Sequence, residues 1–85
     1  MIEPTDIEAR IRTGIPDAEL VQVEDLTGTK DHFRAVIVAP SFEGLGRVEQ
    51  HRAVFRSLGE LMGGPVHALS LQTYTPEAWA RARRA

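Results

Sequence analysis

Three histidines, at positions 32, 51 and 67 of this 85-residue chain, are the side chains best suited to chemistry. Neutral imidazole is a common metal ligand, and two of the three stand at the heads of apolar runs: DHFRAVIVA (31–39) and VHALSL (66–71). Cysteine is absent. That excludes disulfides, a thiolate zinc site and an iron–sulfur cluster held by four cysteines of this chain. Two histidines fill only two coordination positions, and a stable zinc or iron site needs about four. Any further ligands must come from another molecule; otherwise His32 and His67 are packed histidines at strand heads. His51 falls between Val48 and Phe55 on an apolar helical stripe, where a buried structural histidine is expected. The patterns GxSxG, HExxH and GxxxxGK[ST] are missing, and Ser41, Ser57 and Ser70 have no evident base partner. No enzyme is expected.

The elements that must position these residues follow from pattern. Thr5 and Glu8 match a capping box, Ile7 and Ile11 recur at i, i+4, and Gly14 followed by Pro16 closes a short helix. Residues 20–24 alternate as a half-buried strand, turn residues follow at 27–31, and 33–39 form a nearly continuous apolar strand. These two strands are spaced to pair as a hairpin. After Pro40 and a turn containing Gly44 and Gly46, a long helix is predicted over 47–62, with Val48, Phe55, Leu58 and Met62 on its apolar stripe and Val54 and Leu61 widening it. Gly63-Gly64-Pro65 stops it, 66–74 form a third strand, and Thr75-Pro76-Glu77 starts a last helix with Trp79 as core anchor. The order α-β-β-α-β-α implies a two-layer α/β sandwich. A helical crossover makes the second and third strands parallel. If they are neighbours, His32 and His67 share one sheet end, one strand spacing of about 4.8 Å apart.

Composition sets limits on function. The chain is 42% hydrophobic and 26% charged, ordinary values for one globular domain spanning 1–85. Its longest apolar run, 35–40, is far short of the ~20 residues that cross a bilayer, and the N-terminus resembles neither a signal nor a transit peptide. A cytoplasmic protein without a membrane partner is expected, alone a monomer or weak homodimer. Net charge is −2, with eight acids against three bases in residues 1–31 and four acids against seven arginines in 32–85. The second half is a weak version of the basic stripe that nucleic-acid binders use to neutralise phosphates.

The stretches FRAVIVAPSFEG (33–44), VEQHRAVF (48–55), VHALS (66–70) and TPEAW (75–79) together resemble the successive motifs of the BolA family, and the Asp31-His32-Phe33 junction is closest to its IbaG-type bacterial branch. The resemblance implies an α-β-β-α-(α)-β-α fold related to the class II KH domain, with a three-stranded mixed sheet, helices on one face and a short extra turn near 41–46. The GxxG nucleotide-clamping loop is not evident here. It also implies a monothiol CGFS glutaredoxin as partner and a [2Fe–2S] cluster shared with it. The glutaredoxin cysteine and a glutathione thiol would supply two ligands, His67 of the HAL motif the third, and His32 the fourth. Iron–sulfur trafficking, or iron and stress sensing, would be the role. The alternative is a DNA-binding regulator of morphology and stress response using Arg47 and Arg52. Where the family often carries Arg-His, this chain has Gln50-His51, so a role for that charge does not carry over.

Overall fold

A computed structural model describes residues 2–26, 28, 32–62 and 68–84. The first helix, α1, spans Pro4–Gly14. Its start differs from the Thr5/Glu8 expectation: Glu3 is the N-cap, Pro4 occupies the first turn, and Asp6 accepts the Glu3 N–H at 2.9 Å. Proline's fixed φ suits that first turn. Glu8 instead pairs with Arg12 at 3.0 Å. Ile7 and Ile11, four residues apart, are fully buried.

Strand β1 (Leu20–Asp25) runs antiparallel to β2 (His32–Val38), from Leu20 opposite Val38 to Asp25 opposite Phe33. The hairpin closes where the Leu26 N–H donates to the His32 carbonyl at 2.9 Å. Strand β3 (Ala68–Tyr74) pairs parallel with β2, from His32 opposite Ala68 to Val38 opposite Tyr74. The order is β1-β2-β3, so β2 is central, as its apolar run and the helical crossover require. Phe33, Ala35 and Ile37 point from β2 into a core shared with α1 and the second helix. Gln22, Glu24, Arg34 and Gln72 lie in the exposed positions of the alternation, on the opposite face.

After β2 a 3₁₀ turn covers Pro40–Phe42, and Gly44 takes a φ of 80°, the left-handed region that suits glycine. Helix α2 then runs Arg47–Leu58. It is shorter than the expected 47–62 because Gly59, at φ 55° and ψ −128°, breaks it into a second 3₁₀ turn, Gly59–Leu61. Its buried face is also rotated. Val54 and Leu58 are fully buried, whereas Phe55 is 39% and Val48 62% exposed, and His51 is only half-buried. Phe55 and His51 are therefore not core residues. The contact with α1 decides this: a Cβ on Gly14 would lie 2.4 Å from the Ser57 Cβ, so Ser57 and its neighbours face α1. Phe55, two residues before Ser57, falls about 160° around the helix from that line.

Gly14 is thus needed for close approach of two helices, beyond its place at a helix end. Gly14→Ala should lower stability by about 1–3 kcal/mol through overpacking, outweighing any gain in helix propensity. Chemical denaturation of this variant and of Gly14→Ala/Ser57→Gly, where the clash is relieved, checks it. A Gly14→Ala protein as stable as wild type would refute the close-approach account.

The last helix, α3, spans Pro76–Arg84. Thr75 caps it, its Oγ1 accepting the Ala78 N–H at 3.1 Å. Trp79 is half-buried and meets Tyr74 of β3, ring centroids 5.1 Å apart and tilted by 54°. It holds α3 to the end of β3 and takes no part in the main core cluster. No helix among the described residues is long and apolar enough to cross a membrane.

Candidate functional site

The parallel β2–β3 pair brings two strand heads to the same sheet end. His32 opens β2 with an exposed side chain, and its register partner on β3 is Ala68. His67 precedes Ala68 in sequence and lies outside the described residues, as does Asp31. Leu26, bonded through its N–H to the His32 carbonyl, is 50% exposed. Gly28 beside it donates its N–H to Asp25 Oδ1 at 3.0 Å. Nothing in the strand pattern of the sequence marks Leu26 as an exposed apolar neighbour of His32. Its place follows from the hairpin closing at His32.

Among the described residues, no group of three or more His, Asp or Glu side chains is placed to hold a metal ion. The donor set there does not fit a complete metal or cluster site. The described imidazole there, that of His32, fits one ligand position of a centre completed by other groups.

The helix α2 residues divide differently. Arg47 and His51 line one groove together with Leu71, Gln72, Thr73 and Tyr74 of β3. Arg52 is five positions from Arg47, about 140° around the helix, and pairs with Glu49 at 3.1 Å. The two arginines are not brought into one patch. Gln50 is a clamp. Its amide nitrogen donates to the Leu45 and Phe42 carbonyls at 2.9 and 3.4 Å, and its Oε1 accepts the Thr73 hydroxyl at 2.7 Å. An arginine there could donate but could not accept from Thr73. Gln50→Leu should cost about 1–3 kcal/mol, because it strands acceptors and a hydroxyl. Equilibrium unfolding in urea measures this, and an unchanged midpoint would rule the clamp out.

Residues 15–78 match the family model described as BolA-like protein. Human BolA-like protein 1 is 40% identical over 83 residues, covering 86% of this chain and 61% of the human protein. The chain thus spans about three fifths of that relative's length. The acid stress protein IbaG of Escherichia coli K12 is 32% identical over 75 residues, covering 87% of this chain and 89% of IbaG. The solved structure of a BolA protein homologue from Coxiella burnetii superposes with a TM-score of 0.82 at 38% identity, covering 95% of this chain and all of that one.

Proposed function

The chain belongs to the BolA-like protein family, and on that premise we propose that it is a non-enzymatic partner of a monothiol CGFS glutaredoxin, co-ligating a [2Fe–2S] cluster with it. The role would be cluster trafficking or maturation, or the sensing of iron and stress. The observation that carries this reading is the parallel register of β2 and β3, which sets exposed His32 opposite Ala68, the residue after His67. Both imidazoles would serve one end of the sheet, and both remaining ligands would be thiolates from the glutaredoxin and glutathione. The cluster, when bound, supplies electron and iron–sulfur chemistry. This chain would supply two nitrogens, that of His32 at the head of β2 and that of His67, with Leu26 as an apolar neighbour of His32.

Mixing the chain with a CGFS glutaredoxin, iron, sulfide and glutathione tests it. The expected product is a heterodimer whose visible circular dichroism differs from that of the glutaredoxin homodimer, because imidazole ligation changes the spectrum relative to all-thiolate ligation. An unchanged spectrum, with this chain eluting separately, would overturn the proposal.

The regulator alternative draws less support from the surface. Arg47 and Arg52 diverge around α2, Arg52 is already paired, and net charge is −2. DNA affinity should be weak, with a shallow dependence of log K on log salt, since few phosphates can be neutralised at once. Fluorescence anisotropy across a salt series measures the slope. Nanomolar, sequence-specific binding at physiological salt would reverse the ranking of the two functions.

A further inference from the structure

Strand β3 is an edge strand, paired with β2 on one side. The Ala39 N–H donates to the Tyr74 carbonyl at 3.1 Å, which fixes the phase of the ladder. In a parallel pair, alternate residues turn both N–H and C=O toward the same neighbour. Tyr74, Gln72, Ser70 and Ala68 therefore face β2, while Leu69, Leu71 and Thr73 direct their main-chain groups outward. No main-chain partner reaches those three from any described residue outside the sheet. Natural edges are usually blunted by lysine, proline or a bulge. The sequence of β3, ALSLQTY, contains no charge and no proline, and its pairing with β2 is unbroken from Ala68 to Tyr74.

The second wall of this edge is α2. Arg47 and His51 line the groove along Leu71 to Tyr74, and Phe55 continues their row at i, i+4, i+8 with 39% of its surface exposed. Neither Arg47 nor His51 has a side-chain hydrogen bond or ion-pair partner among the described residues. Of the residues that line the groove, Arg47 alone carries a fixed charge, and it is positive. That charge selects the occupant. A second copy pairing through the same edge would bring two such surfaces together, whereas an acidic chain would be attracted.

We propose that the β3 edge, walled by Arg47, His51 and Phe55, takes an extended acidic polypeptide segment as a fourth strand. Main-chain bonds to Leu69, Leu71 and Thr73 would give affinity, and alternate carboxylates facing α2 would give selectivity. This surface lies on the outer edge of β3, away from β2, and does not depend on the cluster.

The test uses the ¹⁵N-labelled full chain and the capped peptide EVEVEVE. The amides of Leu69, Leu71 and Thr73 should shift on titration, and their hydrogen exchange should slow by about tenfold or more. Methylating the peptide nitrogens that face β3 should abolish binding, while methylating the alternate ones should preserve it. KVKVKVK should not bind. Arg47→Glu should weaken EVEVEVE binding by about tenfold, and Arg34→Gln, on the opposite face of the sheet, should leave it unchanged. An absence of β3 shifts would overturn the proposal. So would equal binding of both methylated peptides, or an oligothymidylate that occupies the same amides more tightly than the peptide. Amide shifts that follow protein concentration without peptide would assign the edge to a second copy instead.

Discussion

Replacing His67 by alanine is expected to abolish the change in visible circular dichroism that this chain imposes on a glutaredoxin-bound [2Fe–2S] cluster. A [2Fe–2S] centre needs four ligands, and this chain has no cysteine, so on the proposed reading its contribution is imidazole. Loss of that nitrogen returns the cluster to thiolate ligation on the glutaredoxin, and the spectrum to the homodimer form. His32→Ala should act in the same direction but only in part, since an exposed position at the mouth of a hairpin admits water or Asp31 as substitute. His51→Ala is the control. It is half-buried on α2 and lines the β3 groove, so it should leave both the spectrum and, within about 0.5 kcal/mol, the stability unchanged. A His67→Ala complex with the wild-type cluster spectrum would remove His67 from the ligand set. It would leave the proposed peptide edge untouched, because that edge is read by amide shifts in the absence of iron.

How far these positions could be read from sequence depends on which physical constraint sets each one. The run from Phe33 to Ala39 is apolar on nearly every residue, which marks a strand central in its sheet, so β2 was legible, although its Arg34 face stays exposed. The parallel pairing of β2 and β3 followed from the helical crossover, and the observed register sets His32 opposite Ala68. Half of the candidate site, His32, stands where that argument put it; His67 lies outside the described residues. The helix between them was harder. The apolar stripe along 47–62 is broad, with Val48, Phe55 and Met62 towards one edge, Val54 and Leu61 towards the other, and Leu58 between them. Periodicity alone allows either edge to be the buried one. The choice is made by Gly14 meeting Ser57, a contact 43 residues apart in sequence, and it turns Phe55 and His51 outward. The early end of α2 at Gly59 was masked for a similar reason, since the apolar spacing continues past it through the 3₁₀ turn. Gln50 was read as a lost charge. Its value lies in accepting from Thr73, a partner supplied only by the folded sheet.

Phe33→Ala is expected to be the most destabilising single change near the site, and it separates folding from ligation. Phe33 is 1% exposed and among the largest fully buried side chains, and it lies next to His32 with Asp25 and Leu69 as register partners on either side. Truncating a buried phenylalanine costs about 3–5 kcal/mol, through lost transfer energy and the cavity left behind. A domain of this length has a total stability of only roughly 4–13 kcal/mol, so the variant should unfold within or near the physiological range, with Tm lowered by roughly 15–30 °C. Phe33→Leu keeps much of the volume and should lose about half as much or less. At a temperature where Phe33→Ala is still folded, both histidines remain, and the shared cluster should keep the wild-type spectrum. His67→Ala should show the opposite pair of results, with Tm near wild type and the spectral change gone. A Phe33→Ala protein melting within about 5 °C of wild type would contradict the burial of this ring. A folded Phe33→Ala complex with a homodimer-like spectrum would mean that strand packing beneath His32 sets the ligand geometry as firmly as the histidines themselves.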